Sequence, residues 1–74
     1  MTALLNSKGK LIIQDHGQAL YVSSGVDRAT LAAINQRLRR VRITGHTAAD
    51  WACKARVARE VAGSTLDNSN VDMV

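Results

Sequence analysis

The chain has 74 residues, with ten Lys and Arg against six Asp and Glu, one Cys, one Trp, no Pro and no Phe. A chain of this length forms one small domain and buries only roughly 60% of the surface that its unfolded form exposes, so a deep active-site cleft is hard to build. A single Cys excludes an internal disulfide framework. Cys53 and two His residues far apart in the sequence do not complete a structural zinc site.

No segment of the sequence predicts insertion into a membrane. No stretch approaches the roughly 18 apolar residues of a membrane span, and the start, MTALLNSKGK, lacks the basic-then-apolar order of a signal peptide. We therefore expect a cytoplasmic protein without membrane contact.

The first predicted element is a β-hairpin in the segment KLIIQDHGQALYV, whose turn contains His16 and Gly17. A two-residue loop pairs Asp15 with Gln18 and, at the far end, Leu11 with Val22. Alternate residues share a face, so one face is apolar and packs on the core. That face consists of Leu11, Ile13, Leu20 and Val22. The opposite face carries Lys10, Ile12, Gln14 and Tyr21, and its apolar members are either covered by another segment or available to a partner.

A first helix is predicted from about Asp27 to Arg40, with Ser24 as its N-cap. Its apolar residues recur at steps of three and four and form one stripe that can lie on the hairpin. The stripe consists of Leu31, Ile34, Leu38 and Val41. After this helix, Val41 and Ile43 alternate with polar residues as a short strand would, until Gly45 and His46 break the pattern, so the structure of this connection stays open.

A second helix is predicted from Thr47, whose spacing to Asp50 is typical of an N-terminal cap, to about Ala62, with Gly63 closing it. One side of this helix carries Trp51, Ala55, Ala58 and Ala62, and we expect Trp51 to anchor the core. Residues 63–74 are small, polar and acidic, which predicts a flexible tail. The predicted fold is α+β: one compact domain over residues 1–62, with an N-terminal β-hairpin packed on two helices, followed by a disordered C-terminal tail.

Catalysis has little support in this sequence. The His, Cys and acidic residues show no metal-ligand spacing, no phosphate-binding glycine loop and no nucleophile motif. We interpret His16 and His46 as turn residues. The expected protein is therefore not an enzyme, and it needs no cofactor.

The strongest local feature is RLRRVR, which places Arg37, Arg39, Arg40 and Arg42 within six residues; we call these four the arginine cluster. Arg binds phosphate and carboxylate groups in bidentate fashion, which suits nucleic acid or an acidic protein surface. A solvated helix face is the simpler interpretation, but no acidic residue lies between Arg28 and Arg42 to pair with these side chains. We therefore predict a partner-binding surface composed of Lys10, Ile12, Tyr21, Arg37, Arg39, Arg40 and Arg42.

Two helices joined by a short connection also allow a helix-turn-helix repressor that binds DNA, with TAADWACKARVA as the recognition helix. The connection is longer than that motif normally uses. The start of the second helix offers few base-reading residues, and Asp50 would repel phosphate.

Over its whole length, from MTALLNSKGKLIIQ through RLRRVRITGH to the polar tail, the sequence resembles the small transcription regulators of lytic Xanthomonas phages. The resemblance lies in overall sequence and size, without a short motif. It implies binding to host RNA polymerase at the amino-terminal end of the β′ subunit and at the β flap near the RNA exit channel. We expect the chain to be a monomer. The resemblance further implies σ displacement at host promoters and antitermination, with NusA and nascent RNA as possible further partners.

Overall fold

The computed structural model describes the backbone of residues 1–72 and the side chains of residues 1–65. A three-stranded antiparallel sheet in the order β1-β2-β3 is followed by two helices, so the predicted α+β class is confirmed. The elements are β1 (Thr2–Leu5), β2 (Leu11–Asp15), β3 (Gln18–Ser23), α1 (Arg28–Leu38) and α2 (Ala48–Asp72).

Strand β1 was not predicted from the sequence. It pairs with β2, with Ala3 opposite Ile13. Its outer edge is occupied by a side chain of α1: the Ala3 N–H donates to Asn35 Oδ1 at 2.9 Å, and Asn35 Nδ2 donates to the Ala3 carbonyl at 3.0 Å. The amide of Asn35 therefore takes the place of a neighbouring strand and fixes this edge of the sheet to α1.

The β2–β3 hairpin has the predicted turn, in which His16 and Gly17 both adopt positive φ, at 49° and 76°. These values are those of a type I′ turn, the usual two-residue hairpin loop. Next to the turn the predicted register is confirmed, for the pairs Asp15 with Gln18 and Gln14 with Ala19. Beyond Ile13 the register shifts by one, because Ile13 lies opposite Tyr21 and leaves Leu20 as an extra residue in β3.

Because of this bulge, two side chains lie on the face of the sheet opposite to the one that the predicted register assigned to them. Tyr21, predicted to face outward, lies on the inner face and packs against the core. Val22, predicted to face the core, lies opposite Ile12 on the outer face and is 54% exposed. A shift of one residue moves every following side chain to the other side of a sheet, which explains both errors.

Both helices pack on the inner face of the sheet, α1 against β1 and α2 against β3. The core between sheet and helices is thin, because alanines supply almost half of its members. Its buried apolar residues are Ala3, Leu11, Ile13, Ile34, Leu38, Ala58 and Ala62. The predicted α1 stripe is confirmed at Ile34 and Leu38, which are buried, and at Leu31, which packs against this cluster.

The start of each helix is fixed by an aspartate. Helix α1 is capped by Asp27, whose Oδ1 accepts the Thr30 N–H at 2.8 Å, so the prediction of Ser24 as N-cap was three residues early. Thr47 and Asp50 form the predicted cap of α2: the Asp50 N–H donates to Thr47 Oγ1, and the Thr47 N–H donates to Asp50 Oδ2. Between the helices, residues 41–46 form neither helix nor strand.

The predicted end of the second helix at Gly63 is wrong, because α2 continues to Asp72. Tertiary contacts offset the cost of about 1 kcal/mol for glycine inside a helix. The Thr65 side chain is buried, and Arg37 of α1 reaches the hydroxyl groups of Ser64 and Thr65. The prediction of a flexible tail over residues 63–74 is not met at residues 63–65, and the rest of that segment lies outside the described side chains.

Neither helix, within residues 1–72, combines the length and apolarity of a bilayer-spanning segment.

Candidate interaction surface

The arginine cluster lies at the end of α1 and in the segment that follows it. Arg37 is in the last turn, Arg39 is the C-cap residue, and all four guanidinium side chains are exposed. The reason is local: Leu38 is only 2% exposed and points into the core, so its sequence neighbours on a helix point away from it. Burial of Leu38 therefore presents Arg37 and Arg39 to solvent.

The members of the cluster differ in what they contact. Arg37 Nη1 donates to Ser64 Oγ at 2.8 Å and lies 3.4 Å from Thr65 Oγ1, and both of these partners are neutral. No carboxylate among the described side chains forms an ion pair with any of the four arginines. This end of α1 is therefore cationic. Like charges at such spacing repel one another, and a partner with negative charge would offset that repulsion.

A groove of about 530 Å³ opens beside Arg39, between the start of β1 and the exposed side of α1. Its walls combine polar side chains with small apolar ones, and they consist of Met1, Thr2, Ala32, Asn35, Gln36 and Arg39. Both polar groups of the Asn35 side chain are already bonded to Ala3, which makes one wall rigid. The Arg39 guanidinium lies beside this groove and forms no ion pair with a described side chain.

The hairpin part of the predicted surface lies on the other side of the sheet. Ile12 is half-buried on the outer face, between Leu4 of β1 and Val22 of β3, and these three residues form an apolar row across the sheet. Lys10 is exposed before β2. Because of the bulge, Tyr21 lies half-buried on the inner face of the sheet, and Val22 lies exposed on the outer face instead. The arginines belong to the helix layer, so Ile12 and the cluster do not form one continuous patch.

The structure also contains a partly buried ion pair that sequence reasoning missed. Lys54 is only 1% exposed, its Nζ lies 2.7 Å from Asp15 Oδ2, and the same ammonium group lies 4.3 Å from the centre of the Trp51 ring. The hydrogen bond from Lys54 lowers the pKa of Asp15 below its ordinary value of 3.8, although partial desolvation opposes the shift. Met1 adds to this cluster, because its amino group lies 3.5 Å from Asp15 Oδ1.

This pair changes the predicted α2 stripe. Besides Thr65, the buried residues among the described side chains of α2 are Lys54, Ala58 and Ala62, at steps of four, whereas Trp51 and Ala55 are only half-buried. Trp51 therefore covers the Lys54 ammonium group and is not a member of the apolar core. A helical step of four from Ala58 back to Lys54 was visible in the sequence, but the acidic partner belongs to a hairpin 39 positions earlier.

Two histidines that are far apart in the sequence meet at this junction. The rings of His16, in the hairpin turn, and His46, just before α2, have centres 4.7 Å apart. No group of three or more His, Cys, Asp or Glu residues within the described part of the chain is arranged to hold a metal ion. No family model, curated protein or solved structure matches the chain.

Proposed function

We propose that the chain is a transcription regulator that binds host bacterial RNA polymerase. In this proposal it contacts the amino-terminal end of β′ and the β flap near the RNA exit channel, displaces σ at host promoters and causes antitermination. The choice of RNA polymerase as the partner comes from the sequence resemblance. The observation that supports it is the exposed arginine cluster, which has no carboxylate partner among the described side chains.

The physical argument concerns charge compensation. Exposed guanidinium groups attract acidic protein surfaces and phosphate over several ångströms, and they raise the rate of association at low salt. An acidic surface of the polymerase, or RNA phosphate at the exit channel, would supply the charge that the cluster lacks. The groove beside Arg39 offers a concave contact as well as charge, which favours a protein partner.

A helix-turn-helix repressor receives less support from the geometry. Residues 39–47 separate α1 from α2, a longer connection than that motif uses. The first turn of α2 presents Ala48 and Ala49, and the Asp50 carboxylate is occupied by the cap with Thr47. None of these side chains reads base edges well.

The test compares two triple variants that remove the same charge. In the first, Arg39, Arg40 and Arg42 become Ala; in the second, the exposed Lys8, Arg28 and Arg59 become Ala. We expect the first variant to lose about tenfold or more in affinity for purified polymerase, whereas the second binds nearly as well as wild type. Equal loss in both variants would indicate a general charge effect without a defined surface.

The functional readout uses the same proteins in transcription with purified components. Wild type should reduce initiation from a σ-dependent promoter and increase readthrough of an intrinsic terminator, and the cluster variant should do neither. A gel shift on random and promoter DNA separates the alternative. Tight binding to naked DNA at moderate salt, without polymerase binding, would support the repressor and contradict our proposal.

A further inference from the structure

The junction between the hairpin turn and α2 brings together the only two histidines of the chain. Their rings are nearly perpendicular, at 80°, and their centres are 4.7 Å apart. Both side chains are exposed, and that of His16 has 64% of its surface accessible. Imidazole nitrogens are common ligands of transition metals, so exposed neighbouring rings carry metal-binding chemistry.

The ring spacing fits a shared metal ion. Two imidazoles on one ion, with metal–nitrogen distances of about 2.0–2.1 Å and an angle of about 90–110°, have ring centres about 4.5–5.2 Å apart. The observed 4.7 Å lies within this range. Both rings are exposed, so an ion can reach them from solvent.

A carboxylate lies near each of the two rings. His16 Nε2 lies 4.0 Å from Asp15 Oδ2, and His46 is close enough to Asp50 to contribute to the lowered pKa of that carboxyl, after the larger effect of the Thr47 hydrogen bonds. Lys54 offsets one of the two carboxylates. The Met1 amino group, 3.5 Å from Asp15 Oδ1, offsets the other, so these four groups sum to no net charge. Carboxylates near histidine ligands favour metal binding through ordered water.

We propose that His16 and His46 bind a divalent transition-metal ion, such as Cu²⁺, Ni²⁺ or Zn²⁺, with water completing its coordination. The ion links the turn between β2 and β3 to the start of α2. Affinity follows the order Cu²⁺ above Ni²⁺ and Zn²⁺, with no binding of Mg²⁺ or Ca²⁺, because the latter two prefer oxygen ligands.

The test titrates the full chain with CuCl₂, NiCl₂ and ZnCl₂. Trp51 is the only Trp, and its ring centre lies 6.1 Å from that of His46, so bound Cu²⁺ or Ni²⁺ should quench its fluorescence. The two key variants are His16→Asn, which keeps the positive-φ turn, and His46→Gln. Each should weaken binding by roughly 100-fold, since losing one of two linked ligands removes the chelate advantage.

Two controls separate the pair from other ligands. Cys53→Ser removes the only thiol, which is exposed, and should leave the affinity unchanged. Lowering the pH should weaken binding, because protons compete with metal ions for imidazole nitrogens. In addition, Zn²⁺ should raise the melting temperature of wild type but not of His16→Asn, since a bridging ion binds only the folded chain.

Three results would each overturn the proposal. The first is unchanged affinity in either histidine variant. The second is loss of binding in Cys53→Ser. The third is no binding of Cu²⁺ at concentrations far above that of the protein. As a check on position, Ni²⁺ should broaden the amide NMR signals of residues 15–18 and 45–51 first, and broadening that begins elsewhere would also contradict it.

Discussion

Two groups of cationic side chains in this small protein have opposite surroundings. Lys54 is buried, paired with Asp15 and covered by Trp51, whereas Arg39, Arg40 and Arg42 are exposed and form no ion pair with a described side chain. The sequence presents both as members of one basic stretch between Asp27 and Glu60. The difference separates charge that stabilises the fold from charge that is available to a partner, and the following variants test that separation.

The largest expected effect is on Lys54. Lys54→Ala removes the buried member of a partly buried pair and leaves Asp15, whose side chain is 16% exposed, with only the Met1 amino group beside it. We expect the free energy of unfolding to fall by about 3 kcal/mol, as measured by urea denaturation. Arg59→Ala, at an exposed position on the same helix, serves as the control and should change stability by less than about 0.5 kcal/mol.

A second substitution distinguishes the charge from the packing. Lys54→Met keeps most of the aliphatic volume between α2 and β3 but removes the ammonium group. Its loss should be smaller than that of Lys54→Ala if packing dominates and similar if the unpaired Asp15 dominates. A stability close to wild type in Lys54→Ala would show that the pair contributes nothing to the fold.

The two faces of the sheet extend the comparison to apolar residues. Tyr21 packs against the core on the inner face, and Val22 lies exposed on the outer face. Tyr21→Ser should therefore cost about 2 kcal/mol in the free energy of unfolding, and Val22→Ser less than about 0.5 kcal/mol. The opposite order would favour the register without a bulge, in which Val22 faces the core.

Local patterns predicted much of this fold. The type I′ turn at His16 and Gly17, the α1 stripe around Ile34 and the Thr47–Asp50 cap depend on residues at most a few positions apart. Those interactions have the same geometry in any protein, so sequence spacing is enough to predict them.

The remaining features depend on contacts between distant segments. The bulge at Leu20 places Tyr21 over the helices, Asn35 completes the edge of β1, and Lys54 meets Asp15 only after α2 packs against β3. A hydrophobic pattern assigns a lysine to the surface because a buried charge without a partner is costly, and the partner appears only in the folded chain. The exposure of Arg37 and Arg39 was predictable because it follows from one buried neighbour, Leu38.

A smaller effect concerns pH. Because Lys54 donates a hydrogen bond to its carboxylate, Asp15 has a pKa below 3.8, its ordinary value in the unfolded chain. The ionised form therefore stabilises the fold above about pH 3.8, and this contribution is lost as the pH falls through the lower pKa of the folded state. Urea midpoints measured from neutral pH to about pH 2.5 should fall less steeply in Asp15→Asn than in wild type.

Lys54→Ala should show the same shallower dependence, because the pKa of Asp15 then returns toward its ordinary value. Asp27 and Asp50 also have lowered pKa values from their cap hydrogen bonds, so wild type and both variants share that part of the acid sensitivity. Only the difference between wild type and the variants reports on the partly buried pair, and parallel curves would contradict this assignment.

The smallest expected effect is a difference in stability between substitutions at two members of the arginine cluster. Arg37 contacts Ser64 and Thr65 of α2, whereas Arg40 has no side-chain hydrogen bond to another described residue. Arg37→Ala should lower the free energy of unfolding by at most about 0.5 kcal/mol, and Arg40→Ala should leave it unchanged. Hydrogen exchange of the amides of residues 62–65 offers a more sensitive measurement, because the lost contact lies there. Faster exchange in Arg37→Ala alone would show that this arginine holds α2 against α1, which leaves Arg39, Arg40 and Arg42 as the members free for a partner.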